Sequence, residues 1–138
     1  MKRIMGLDYG TKRIGIAMSD ELLLTAQGLN SLESKNLNSD LEEISKLVQE
    51  NNVEEIIVGL PLNMNGTHSA KTREVEEFVA ALSKAVKIPV KTWDERLTSM
   101  QAERVLLEAD SSRAKRRKVT DKLAAQIILQ SYLDAKKK

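Results

Sequence analysis

The sequence predicts a mixed α/β domain: a five-stranded sheet, part antiparallel and part parallel, with helices on both faces. Three observations carry this expectation. Three strand-like runs precede any helical periodicity, which gives an antiparallel portion; strand and helix patterns then alternate, as in βαβ crossovers between parallel strands. The chain has 138 residues, 41% of them hydrophobic. That is enough for one sizeable core and too little for two, so residues 1–138 are expected to form a single domain.

Arg3–Asp8 and Arg13–Ser19 are apolar runs joined by Gly10-Thr11-Lys12, a short turn that makes them a predicted hairpin. Leu22–Leu32 supplies the third strand. Ser39-Asp40-Leu41-Glu42 fits a capping box, and Leu41, Ile44 and Val48 follow at helical spacing until Asn51-Asn52. Ile56-Ile57-Val58-Gly59-Leu60 is a continuous apolar run closed by Pro61, which suits a strand buried on both faces in the middle of the sheet. After the polar loop Asn63-Met64-Asn65-Gly66-Thr67, a second helix carries the stripe Val75, Phe78, Val79, Leu82 and Val86. Pro89–Trp93 is the fifth strand. Thr98-Ser99-Met100-Gln101 caps a third predicted helix through Val105, Leu106 and Ala109, and the last helix runs from about Arg113 to Ala135.

Composition removes several function classes. The chain has no Cys, which excludes a disulfide framework and a thiolate metal site. No cleavable leader opens it and no apolar run is long enough to span a bilayer, so the expectation is a cytoplasmic protein without membrane contact. Aromatic residues are 3% of the chain, too few for Trp93 to belong to a base-stacking platform. The net charge of +2 conceals a strong asymmetry. Residues 111–138 hold nine Lys/Arg against two Asp, whereas residues 1–110 hold thirteen against eighteen Asp/Glu. A local basic segment of this kind faces anions, with nucleic acid the commonest partner, although a solvated helix gives the same count.

Carboxylates stand at the ends of elements that one sheet brings together. Asp8 ends the first strand; its plainer use is to accept from the amides of Gly10 or Thr11. Asp94 and Glu95 follow the fifth strand, where a loop paired with Arg96 and an N-cap is the simpler reading. Asp121 shares the apolar stripe of the last helix with Ala124, Ala125, Ile128 and Tyr132, so it is expected to face the protein, with a bond from Arg117 as the alternative. The conjunction of the three weighs more than any member. Hard cations such as Mg²⁺ take oxygen ligands and use few carboxylates when substrate phosphate completes the shell.

Around them, Arg113, Arg117 and Lys118 fall broadly on the Asp121 side of the helix wheel and are candidate phosphate contacts, while Lys115 and Arg116 do not. Arg96 either binds phosphate or neutralises Glu95. Asn63, Asn65 and Thr67 offer hydrogen bonds to a sugar or phosphate, or simply form a turn. His68, expected to begin the second helix, reads as a solvated cap residue rather than a base. The five Met are expected to be core filler.

The segments Gly6-Leu7-Asp8-Tyr9-Gly10-Thr11-Lys12-Arg13-Ile14-Gly15, Val58-Gly59-Leu60-Pro61-Leu62-Asn63-Met64-Asn65-Gly66-Thr67, Trp93-Asp94-Glu95-Arg96-Leu97-Thr98 and Lys118-Val119-Thr120-Asp121-Lys122-Leu123-Ala124-Ala125 resemble the YqgF family, also called RuvX. The four motifs occur in family order, and the resemblance covers essentially the whole chain. It implies an RNase H-like, RuvC-like fold and a bacterial cytoplasmic protein that matures the 5′ end of pre-16S rRNA. It also implies that Asp8, Glu95 and Asp121 hold one or two Mg²⁺ or Mn²⁺ ions, so that an in-line water hydrolyses a phosphodiester to leave a 5′-phosphate and a 3′-hydroxyl. RNase H-like enzymes usually place a carboxylate after the fourth strand. This chain has Pro61-Leu62-Asn63 there, so Glu95 has to substitute from the fifth strand, with Asp94 as its competitor.

Three function classes follow. The first is a nuclease, with RNA favoured over a branched DNA junction as substrate. The second is an actin-like kinase or ATPase, whose first motif resembles Asp8-Tyr9-Gly10-Thr11 but whose nucleotide lies between two related domains, where this chain has one. The third is a nucleic-acid-binding module that keeps the fold without a productive metal cage. A homodimer fits a two-fold DNA junction, and a monomer fits RNA.

Overall fold

Strand β1 (Arg3–Tyr9) occupies the middle of a sheet whose order is β3-β2-β1-β4-β5. Its central place follows from its side chains: Ile4, Met5 and Leu7 are all fully buried, and only an interior strand hides both faces. In this computed structural model the described residues are 2–98 and 113–136, with side chains described for 2–98 and 122–136. β2 (Arg13–Ser19) pairs antiparallel with β1, and β3 (Ala26–Glu33) antiparallel with β2. On the other side β4 (Val53–Leu60) runs parallel to β1, and β5 (Val90–Asp94) parallel to β4. The sheet is therefore mixed, as the element order predicts.

Alternation along the strands sorts the core into two layers. Met5, Leu7, Ile56 and Val58 pack with Ile44 of helix α1 (Leu37–Glu50) and with Val75, Phe78 and Leu82 of α2 (Ala70–Ala85). Ile4, Ala17 and Ile57 face the other way, against Ala124, Ala125, Ile128, Leu129 and Leu133 of the last helix, α3 (Arg113–Lys136). Two positions show how closely α3 lies on the sheet. A Cβ added at Gly6 of β1 would stand 2.7 Å from Leu129 Cβ and 3.2 Å from the Ala125 carbonyl, and one at Gly59 of β4 would overlap Ile128. Only glycine admits a helix backbone so near a strand.

Buried Glu55 of β4 anchors the far end of this layer. It accepts from Tyr132 Oη at 2.8 Å and pairs with Lys91 Nζ at 2.7 Å. Burial pushes its carboxyl up, but the hydrogen bonds from Lys91 and Tyr132 and the charges of Lys91 and Lys136 outweigh burial and hold it below the usual range. Trp93 donates from Nε1 to Ser131 Oγ at 3.0 Å and meets Tyr132 edge-on, so it fastens β5 to α3.

Some boundaries differ from expectation for local reasons. The third strand begins at Ala26 rather than Leu22. Before it, the Asp20 carboxylate accepts from the amides of Leu24 and Thr25, and Leu23 has a φ of 59°, which makes a turn of that stretch. The N-cap of α1 is Asn36, whose side chain accepts from Ser39 N–H at 2.9 Å, and not Ser39. Asp40 turns back instead, accepting from Ser34 Oγ at 2.5 Å and Lys35 N–H at 3.1 Å. Helix α2 starts after His68, through a capping box between Ser69 and Thr72. Met5 and Met18 are buried filler, whereas Met64 is 77% exposed. The third predicted helix, through Val105, Leu106 and Ala109, lies outside the described residues.

Candidate active site

Because β1, β4 and β5 are parallel, their C-terminal ends share one edge of the sheet, and Asp8, Gly59 and Glu95 arrive there together. Asp8 follows Ile4 and Gly6 at the period of two, which puts it on the α3 side. It is half-buried, opposite Gly15 of β2. Leu7 pairs with Val58, so Asp8 and Gly59 are the next residues along adjacent strands. Glu95 opens a single 3₁₀ turn, Glu95–Leu97, directly after β5. Its Oε2 lies 3.1 Å from where a Gly59 Cβ would stand. A side chain at 59 would crowd the very space that Glu95 occupies.

Asp94 has a different role. Its Oδ1 accepts from Arg96 N–H at 2.9 Å, capping the 3₁₀ turn, while Arg96 Nε reaches both carboxylate oxygens at 3.1 Å and Nη2 reaches Oδ2 at 2.7 Å. The Arg96 hydrogen bonds hold the Asp94 carboxyl below the usual carboxylate range, and Asp94 raises the Arg96 guanidinium in return. Arg96 Nη1 also donates to the Met64 carbonyl at 3.2 Å. The guanidinium thus joins the Asp94-Glu95 turn to the loop after β4.

In that loop the polar side chains meet one another. Asn63 Nδ2 donates to Thr67 Oγ1 at 2.9 Å, and Thr67 Oγ1 donates to Asn65 Oδ1 at 2.6 Å. Turn formation therefore accounts for much of the hydrogen-bonding capacity of Asn63, Asn65 and Thr67. His68 bridges to Leu62 by backbone pairing, and its Nδ1 stands 3.1 Å from Glu76 Oε1.

The third carboxylate comes with α3, which runs antiparallel to β4: Ile128 meets Gly59, and Tyr132, one turn later, meets Glu55. The Ala125 carbonyl lies over Gly6. One turn earlier, a rise of about 6 Å, brings residue 121 of the helix level with Asp8, two strand residues or about 6.6 Å beyond Gly6. The side chain of Asp121 lies outside the described ones, as do those of Arg113, Arg117 and Lys118 in the same helix. Among the described residues no group of three His, Cys, Asp or Glu converges on one point, and no helix is long and apolar enough to cross a membrane. Sequence reasoning missed Met64. Its place inside an Asn/Gly turn was the signal that it is not core.

A family model described as "RuvX: Holliday junction resolvase" matches residues 2–135. Relatives named "Putative pre-16S rRNA nuclease" occur in Syntrophomonas wolfei, 59% identical over 132 residues and covering 96% of this chain and 94% of the relative, and in Halothermothrix orenii, 52% identical over 136 residues and covering 99% and 97%. Among solved structures, Thermus thermophilus RuvC in complex with a Holliday junction substrate superposes with a TM-score of 0.61 at 13% identity, covering 99% of this chain and 96% of that one. The fowlpox virus Holliday junction resolvase gives 0.55 at 14%, covering 96% and 99%. At such identities the likeness is one of fold, that of the RNase H-like RuvC resolvases.

Proposed function

Because the chain belongs to the RuvX family, matched over residues 2–135, we propose that it is a divalent-metal-dependent endonuclease that hydrolyses phosphodiester bonds in the 5′ maturation of pre-16S rRNA, in the cytoplasm. The observation that supports this reading is that Asp8 and Gly59 end adjacent parallel strands and Glu95 Oε2 stands against Gly59, on the face covered by the helix that bears Asp121. The donor set suits a hard cation. It is carboxylate oxygen throughout, the chain has no Cys, and its single His pairs with Glu76 elsewhere. Asp8, Glu95 and Asp121 would hold one or two Mg²⁺ or Mn²⁺ ions, which supply an activated water and charge stabilisation at the leaving oxygen.

The residues of this chain do the rest. Asp8 sits on the central strand of the sheet, paired on both sides, so its carboxylate is carried by a rigid backbone. Glu95 is held by the 3₁₀ turn that Asp94 caps and Arg96 ties down. Arg113, Arg117 and Lys118 precede Asp121 on α3 and would receive the phosphates on either side of the cut. The family description and the RuvC-like fold favour one second reading, cleavage of a branched DNA junction by a homodimer, since a two-fold substrate needs two sites.

A cleavage assay with Mg²⁺ or Mn²⁺ offering precursor rRNA, single-stranded RNA and a four-way DNA junction in parallel tests this directly. Precursor cleavage leaving a 5′-phosphate is the expected result. Junction cleavage alone would transfer the activity to DNA, and binding without cleavage of any substrate would leave a nucleic-acid-binding module.

The two acidic residues after β5 make a separate prediction. Glu95→Gln should lower the cleavage rate by roughly a hundredfold or more, because a metal ligand is lost, whereas Asp94→Asn should cost about tenfold at most, through a looser turn. Single-turnover rates decide the ranking, and the reverse order would make Asp94 the ligand.

A further inference from the structure

The loop between β4 and α2 is organised by its own hydrogen bonds and by Arg96, and leaves one large apolar side chain in water. Asn63 N–H donates to the Thr67 carbonyl at 3.0 Å and Gly66 N–H to the Asn63 carbonyl at 2.8 Å, while the Asn65 carboxamide accepts from the amide and the hydroxyl of Thr67. Gly66 has a φ of 85°, which closes the turn. Arg96 braces it from the Glu95 side, through the Met64 carbonyl at 3.2 Å and with its guanidinium against Gly66. Met64, at the tip, is the most exposed large hydrophobic side chain among the described residues. The fold gains nothing from it there.

Position and chemistry both say what would cover it. The loop begins four residues after Gly59, against which Glu95 stands, and Arg96 is the residue next to Glu95. Arg96 ties this loop to the turn that carries Glu95, so a nucleic acid whose phosphate sits at Asp8 and Glu95 has the loop beside it. The loop's polar side chains are engaged with one another, so what it offers outward is an unbranched, polarizable thioether. The apolar parts of a nucleic acid are the faces of its bases, and a flexible Met packs against or between them without regard to sequence.

We propose that Met64 is a wedge that packs against the base flanking the scissile phosphate, and that Arg96 is the positioning residue that holds the wedge in place. The inference rests on the nuclease reading of the site. A paired and stacked base does not offer its face, so the wedge selects substrates with an unpaired or easily unstacked step beside the cut.

The test separates binding from cleavage. RNA oligonucleotides carrying 2-aminopurine at successive unpaired positions are titrated with the full chain in EDTA, so that no turnover intervenes. One or two positions should brighten as their stacking is broken. Met64→Ser should abolish that signal and weaken binding by about tenfold, with an unchanged melting temperature, and Met64→Leu should restore both. Arg96→Gln should reduce the signal while leaving the slope of log Kd against log salt unchanged; a slope shallower by about one unit would make Arg96 a phosphate contact and overturn its positioning role. Equal affinity and equal fluorescence in Met64→Ser would overturn the wedge, including in favour of a protein partner for that tip. Wild-type cleavage in Mg²⁺, measured separately, decides the nuclease reading whichever way the wedge falls.

Discussion

Asp8→Asn should lower the cleavage rate by about a thousandfold or more, since an amide keeps the shape of the side chain but not the charge that holds a divalent cation, and roughly 4 kcal/mol of transition-state stabilisation goes with it. The fold should survive. Asp8 is only half-buried, and relief of repulsion from the neighbouring carboxylate should leave the melting temperature unchanged or raised. Single-turnover cleavage beside a thermal melt separates the two effects. Undiminished turnover in a correctly folded variant would remove Asp8 from the cage.

Gly6→Val should be the most damaging single change to the scaffold. The first added carbon meets Leu129 Cβ at 2.7 Å and the Ala125 carbonyl at 3.2 Å, and neither is the free end of a flexible side chain. Helix α3 must lift from the sheet. Overpacking of this kind costs about 3 kcal/mol, which corresponds to a fall of roughly 10 °C in melting temperature for a chain of this size. Cleavage should fall as well, because the turn that carries Asp121 moves with the helix. A melting temperature within a degree or two of the wild type would show that the sheet and α3 adapt to each other at Gly6.

The sequence signalled those parts of the fold that rest on periodicity. The apolar runs of β1 and β4 and the stripe Ala124, Ala125, Ile128 and Tyr132 all predict segments that are indeed buried. What it signalled poorly was the competition between neighbouring polar residues for the same backbone groups. Asn36 and Ser39 are both good N-caps, and Asn36 takes the helix because Asp40 is drawn back to Ser34 and Lys35. Arg96 had Glu95 and Asp94 beside it in sequence, and only the geometry of the 3₁₀ turn gives it a fork on Asp94. The glycines carried more information than any motif of charged residues. Gly6 and Gly59 mark where a helix would lie, yet a glycine within a strand names no partner until the partner is seen.

The second layer of the core has a consequence for the folding of the chain. Its helical half is supplied by α3, which is far from β1 and β2 in chain order. Contacts of such sequence separation form after local strand pairing, because the loop-closure entropy has to be met first. Until α3 docks, Ile4, Ala17 and Ile57 have no cover, and the helix that bears Asp121 is not yet over the sheet. Closing the core and completing the proposed site are thus one event, and a chain whose core is still open would not cut.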